Sequence, residues 1–249
     1  MTRDYLESQR ARQLETSSLL LDRGLLSMNQ YFTPMKSRVR LLAIAGSQRN
    51  NGNSNYLAKT VLDSLPVSYK IIQLAEKNID FCTLCEKCKD GGDCVLNDDF
   101  NEIFREMQVA DGLVFSLPKY LFVGSKFLAF LERLDTLVHM RRHGGYEHKP
   151  GKPRTELFSG KPFCIFLTSG TGHVENEILR IAEEYIEFLG LRPVFCDEPP
   201  HLAVNVRAGD SKGEVLHNKK AIEECRKVVA KMINSTKKPK STRQVDSCS

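Results

Sequence analysis

Val39-Arg-Leu-Leu-Ala-Ile-Ala45 is an apolar run stopped by Gly46, and polar residues through Ser54 lead from it into a helical pattern. A strand that is apolar on successive positions is buried on both faces, as strands of parallel sheets are. Such a strand needs a crossover, usually a helix, to return the chain to its starting end. The same unit recurs downstream. Leu57, Val61, Leu62 and Leu65 share one face of a helix over 54–65, and Tyr69–Leu74 reads as a second strand. Asp98 and Asp99 stand where they can cap a helix that carries Phe100, Ile103, Phe104 and Met107 at helical spacing. Gly112–Leu117 is a third strand, followed by a helix expected to turn Phe127, Leu128, Leu131 and Leu134 inward. Phe163–Thr168 is a fourth strand, Glu175–Leu189 a helix stopped by Gly190, and Pro193–Cys196 a fifth strand before a last helix over 218–233. Strands alternating with helices in this way predict a five-stranded parallel sheet covered on both faces. Ligands of such sheets bind beyond the carboxyl ends of the strands, so the loops after strands one, three and four are the candidate site.

With 249 residues and 41% hydrophobic content, the chain suits one α/β domain with extensions. Residues 1–37 are polar with scattered leucines and read as an N-terminal extension. Residues 38–233 form the domain, with a cysteine loop at 80–96 and a Gly-, Pro-, His- and Arg-rich excursion over 139–161. Residues 234–249 read as a basic, disordered tail. Of the net charge of +5, the segment from 219 onward carries nine Lys/Arg against three Asp/Glu, which leaves the remainder near neutral. The basic excess therefore belongs to a helix end and a tail, and specific nucleic-acid binding is not expected. The amino terminus lacks an apolar leader, and no stretch approaches the ~18 apolar residues of a membrane span, so a cytoplasmic location is expected. Four of the eight cysteines fall between Cys82 and Cys94, which suits metal ligation in a reducing compartment.

Two segments carry the chemistry. Gly46-Ser47-Gln-Arg49-Asn-Asn-Gly52-Asn53-Ser54 joins a buried strand to a helix start, where backbone N–H groups attract an anion. Ser47, Asn53 and Ser54 can add hydrogen bonds to a phosphate and Arg49 a charge-assisted one, while Gly46 and Gly52 let the backbone curl closely. The segment is neither a Walker loop nor a dinucleotide fingerprint, and an ordinary polar strand–helix loop has a similar composition. Cys82, Cys85, Cys88 and Cys94 form a C-x2-C-x2-C-x5-C run. Thiolates two residues apart reach adjacent corners of one metal site, and Gly91-Gly92 permits the turn that brings back the fourth. A [4Fe–4S] cluster, a tetrahedral zinc and free thiols all remain open on this spacing, with the compact run favouring the cluster.

The G-S-x-R-x-x-G-N-S segment resembles the FMN phosphate loop of the NADPH-dependent FMN reductase family, over about Val39 to Arg192. The cysteine run before Asp98-Asp99 resembles that of the iron–sulfur flavoprotein branch of the same family. The resemblance implies a flavodoxin-like three-layer α/β/α sandwich of strand order 2-1-3-4-5, with FMN as cofactor. It assigns the phosphate to Ser47, Arg49, Gly52, Asn53 and Ser54. The ring would lie against the loop after strand three, where Pro118, Tyr120, Leu121 and Phe122 offer an apolar and aromatic wall. The family's Ser-Pro-x-Tyr pattern is displaced here by Leu117, which puts the proline one residue later. Ser169 and Gly170, in the glycine-rich turn after strand four, would approach the flavin. His173 reads as a helix-cap neighbour, and Cys164 and Cys196 as core residues.

The resemblance implies a redox flavoprotein. It would take electrons from a ferredoxin-like or NAD(P)H donor, pass them through FMN to an acceptor, and assemble as a homodimer or homotetramer. Two other readings stay open: a cluster-free NAD(P)H-dependent reductase of FMN or quinones, and a non-enzymatic protein with zinc on Cys82–Cys94.

Overall fold

The computed structural model describes residues 39–89, 92–120, 123–143, 158, 160–170, 186, 189–194 and 203–236. The expected N-terminal extension and nearly all of the tail lie outside these residues, as do most of Glu175–Leu189, Cys196, and residues 144–157 of the excursion.

β1 (Arg40–Ala45) lies between β2 (Ser68–Gln73) and β3 (Gly112–Pro118), and β3 pairs in turn with β4 (Pro162–Ser169), every pairing being parallel. The order β2-β1-β3-β4-β5 agrees with the sequence expectation. The fifth position is built from two pieces. β5 is only Arg192–Pro193, beside the start of β4, and β6 (Ala203–Arg207) pairs with Ile165–Ser169 at its end. The expected strand at Pro193–Cys196 is thus replaced within the described residues by this split edge. β6 escaped the sequence reading because it is no continuous apolar run: buried Ala203, Val204 and Val206 are interrupted by exposed Asn205 and Arg207.

Four helices cover the two faces of the described sheet: α1 (Asn53–Asp63), α2 (Phe100–Val109), α3 (Ser125–His143) and α4 (Lys219–Thr236). Leu41 and Ala43 of β1 pack with α1 and α4, whereas Leu42 and Ile44 pack with α2 and α3. The same division separates Val114 from Phe115 and Phe166 from Ile165. That alternation explains why these strands are apolar at every position: each face of the sheet has its own core.

Several boundaries differ from expectation. α3 continues through His143, so His139 and His143 belong to a helix and the excursion starts later. Its inner face uses Phe127, Phe130, Leu131, Leu134, Leu137 and Val138, whereas Leu128 is 41% exposed. α4 runs on to Thr236, three residues into the expected tail. Gly190 takes the positive φ of 84° that suits the residue after a helix end. No described helix is long and apolar enough to cross a membrane.

Of the two aspartates before α2, Asp98 gives its side chain to a first-turn amide, whereas Asp99, at the N-cap position, makes no side-chain capping bond. Asp99 accepts from the Asn78 amide at 2.7 Å and from Lys77 Nζ at 3.1 Å, and Asp98 Oδ1 accepts from the Phe100 amide at 3.2 Å. Asp98 also receives the Asp80 amide at 2.9 Å and forms an ion pair with Arg133 of α3, the two side chains being 0% and 1% exposed. Burial by itself would raise the Asp98 pKa, but the hydrogen bonds from Arg133 and the two amides outweigh it and hold the carboxyl below its ordinary range. The pair therefore stabilises the fold fully above the unfolded carboxylate pKa of about 3.9, and that contribution is lost as pH falls through the lower folded value. Arg133→Met leaves a buried carboxylate without its counter-charge, and should destabilise the protein by about 3–5 kcal/mol at neutral pH. Urea unfolding at pH 7 and at pH 4 checks this, with the deficit expected to shrink in acid as Asp98 takes up a proton.

Candidate functional site

Because all strands run parallel, the loops after them emerge along one edge of the sheet, and there they build a cleft. Ser47, Arg49, Asn53 and Ser54 line it from the loop after β1, and Pro118, Lys119 and Tyr120 from the end of β3 and its loop. Thr168, Ser169 and Gly170 close it from the end of β4. Its cavity of about 120 Å³ is ample for a tetrahedral oxyanion.

The loop after β1 is shaped by contact rather than by unusual torsion at its second glycine. Gly52 has φ −75°, open to any residue, but a Cβ there would sit 2.2 Å from Ser47 Oγ. Only glycine lets the Ser47 hydroxyl, itself buried and accepting from the Arg49 amide at 3.1 Å, fold against the helix start. Asn51, at φ 52°, makes the left-handed step of the loop. Ser54 is buried at the first turn of α1, its hydroxyl 3.0 Å from that of Thr168, while Ser116 Oγ donates to the Ser54 carbonyl at 2.8 Å. The Lys119 amide donates to the Thr168 carbonyl at 2.7 Å and the Gly46 amide to the Ser116 carbonyl at 2.9 Å. Hydroxyls and backbone groups thus lock the three loops together. Tyr120, which lines the cleft, is 50% exposed.

Asn53 does something the sequence did not disclose. Its Nδ2 donates to the carbonyls of Ala208 and Ser211, each at 3.0 Å, and its Oδ1 accepts from the Gly213 amide at 2.8 Å. The amide group is spent on binding the loop after β6, which adds Ala208, Gly209 and Asp210 as a further wall of the cleft. Arg49 reaches the same loop, donating from Nη1 to the Asp210 carbonyl at 2.8 Å. This wall was missed together with β6; the alternation of Ala203–Arg207 before Gly209 was the available signal. Leu121 and Phe122, also expected at the site, lie outside the described residues.

The cysteine run forms a second pocket. Cys82, Cys85, Cys88 and Cys94 line it together with Leu84, Val95 and Arg133. Leu84 and Glu86, on either side of Cys85, take positive φ values of 49° and 58°, which non-glycine residues adopt rarely. The Leu84 amide donates to Cys82 Sγ at 3.4 Å. A hydrogen bond from the Lys87 amide lowers the Cys85 pKa, whereas burial raises that of Cys88. Cys94 is held hardest: its amide donates to Asn101 Oδ1 at 3.1 Å, its carbonyl accepts from Asn101 Nδ2 at 2.7 Å, and its sulfur accepts from Arg133 Nη2 at 3.1 Å. Arg133 was not foreseen; an arginine inside the apolar stripe of α3 was its signature. Among the described residues, no three His, Cys, Asp or Glu side chains are close enough to hold a metal ion.

Residues 39–191 match the NADPH-dependent FMN reductase family. An iron–sulfur flavoprotein of Methanocaldococcus jannaschii is 33% identical over 85 residues, which are 33% of this chain and 44% of that protein. One of Archaeoglobus fulgidus is 29% identical over 105 residues, 41% of this chain and 48% of the other. The chain spans about half the length of the curated relatives it matches. Among solved structures, RosB with bound 8-demethyl-8-formylriboflavin-5'-phosphate superposes at a TM-score of 0.54 and 13% identity, covering 79% of this chain and 76% of that one. FerB of Paracoccus denitrificans, a flavoenzyme NAD(P)H:(acceptor) oxidoreductase, gives 0.50 and 15%, covering 80% and 97%. These likenesses bear on the fold, and the family match covers more than half of the sequence: the chain belongs to the NADPH-dependent FMN reductase family.

Proposed function

We propose that the chain is an FMN-dependent oxidoreductase whose Cys82, Cys85, Cys88 and Cys94 hold a [4Fe–4S] cluster, with electrons passing from a ferredoxin-like or NAD(P)H donor to an acceptor. The observation that carries the reading is the convergence of the loops after β1, β3 and β4 in one cleft lined by buried hydroxyls. The family match and the relatives named iron–sulfur flavoprotein support it.

When bound, FMN supplies hydride and single-electron chemistry and a cluster supplies single electrons. The chain's part is to hold and tune them. Ser47 and Ser54 present hydroxyls, and the first turn of α1 presents amides, to the phosphate. Arg49 spends one N–H on Asp210, and its guanidinium has others to offer an anion. Asn53 serves by keeping the wall of the cleft in place. Pro118 and Tyr120, with Leu121 and Phe122, would form the apolar wall for the ring, while Ser169 and Gly170 let backbone come close to it. The crowding at Gly52, where a Cβ would meet Ser47 Oγ, supports a tightly wound phosphate loop.

At the cysteine pocket, the amides bonded to Cys82 and Cys85 and the buried guanidinium on Cys94 suit a group that carries negative charge on several sulfurs. A single zinc draws all its sulfurs to about 2.3 Å, whereas a polynuclear cluster keeps its ligands further apart. Exposed Phe81, Leu84 and Val95 around this pocket give a second copy of the chain an apolar surface to cover, in line with the expected homo-oligomer. That no three His, Cys, Asp or Glu side chains gather for a metal ion among the described residues favours a second reading, the cluster-free NAD(P)H-dependent reductase.

Anaerobic purification with FMN and iron quantified per chain separates the two. The proposal expects one FMN and about four irons; flavin without iron supports the simple reductase, and failure to bind added FMN overturns both. Gly52→Val should weaken FMN binding by about 1–3 kcal/mol, roughly tenfold or more in Kd, through overpacking against Ser47; fluorescence titration of the apoprotein measures it. Cys94→Ala should lose most of the iron while FMN per chain stays at the wild-type level, and retention of full iron would remove Cys94 from the ligand set.

A further inference from the structure

We propose that Arg133 sets the reduction potential of the group held by the cysteine run and anchors its fourth ligand, acting through Cys94. The inference rests on the cluster reading above and concerns a residue in the interior of α3 rather than in the cysteine loop.

The guanidinium is 1% exposed and makes contacts on all sides. Nη1 donates to the Asp80 carbonyl at 3.1 Å and pairs with Asp98 Oδ2, and Nη2 donates to Asp98 Oδ1 at 3.1 Å and to Cys94 Sγ at 3.1 Å. Its carbon lies 4.3 Å from the centre of the Phe100 ring, while Nε is buried without a hydrogen-bond partner. A buried, incompletely satisfied cation is costly. A mainly structural role for the pair would be served as well by apolar side chains of similar volume. What an apolar pair cannot do is place a positive charge and an N–H donor on a sulfur.

Hydrogen-bond geometry singles out this sulfur. Cys82 and Cys85 receive backbone amides, from Leu84 and Lys87, whereas the hydrogen bond to Cys94 comes from a charged side chain. Asn101 fixes both backbone groups of Cys94, so the point from which this sulfur reaches Arg133 is held in place. A cluster becomes more negative on reduction, and a nearby cation and N–H···S bond favour that state, raising the potential. Away from solvent the effect is poorly screened. Asp98 keeps the guanidinium in place through the paired oxygens that match its planar fork, a geometry a lysine cannot reproduce.

The test compares wild-type holoprotein with Arg133→Lys, which keeps a charge for Asp98, and with the charge-neutral double variant Arg133→Met/Asp98→Asn. Neither leaves an unpaired buried carboxylate, and FMN bound per chain reports folding. Reductive titration followed by electron paramagnetic resonance gives the midpoint potential, and chelator challenge gives the rate of iron loss. The expected result is a midpoint shifted negative in the double variant, with Arg133→Lys between it and wild type, and iron lost about tenfold faster or more in both. Full iron with unchanged midpoints in both variants overturns the role of Arg133 while leaving the cluster reading intact. A wild-type protein that takes up FMN but no iron overturns the cluster reading, and this inference with it.

Discussion

A parallel sheet buried on both faces dictates most of this molecule. Every backbone group within it must find a partner inside the protein, and each return to the starting end needs a crossover. The direct consequence is that the loops after β1 to β4 leave from one edge. Polar side chains that would be costly in the core are tolerated there, because they bond to one another: Ser54 to Thr168, Ser116 to the Ser54 carbonyl, Asn53 to the loop after β6. The cleft exists because the sheet forces these loops together.

The cysteine pocket depends on a different interaction. It follows β2, the strand at the edge of the sheet. Its order comes from the Asp98–Arg133 pair, which joins the start of the loop through Asp80, its end through Asp98 and Cys94, and the middle of α3. Removing water from both charges makes the pair demanding in geometry, and its neighbours meet that demand with two amides and a carbonyl. Asn101 and the Lys77–Asp99 bond complete the clasp. The loop can then hold residues at positive φ without collapsing.

The family match and the cleft bear on the same segment of sequence, since residues 39–191 contain three of the four loops that form the site. The fourth, over Ala208–Asp210, lies beyond that span, and Asn53 binds it to the rest. The cleft is thus closed by an element that lies beyond residues 39–191.

Most of the strands and helices and both buried cores were legible in the sequence, because unbroken apolar runs and helical spacing are local consequences of where water is excluded, while the strand order followed from the family resemblance. The residue types of the two sites were legible for a similar reason: a Gly-Asn-Ser helix start and four cysteines within thirteen residues are chemical statements that need no neighbours. Three things were not. The divided fifth position, with β6 as its second piece, was hidden because an edge strand needs to bury only part of its surface. The hydrogen bonds of the Asn53 side chain depended on a loop 155 to 160 residues away. The meeting of Arg133 with Cys94, 39 residues apart, appeared locally as a charge misplaced in an apolar stripe. Composition and spacing determined which groups this chain has to offer; packing across long separations decided which of them meet, because the partner of a long-range hydrogen bond or ion pair is fixed only when the fold brings its two ends together.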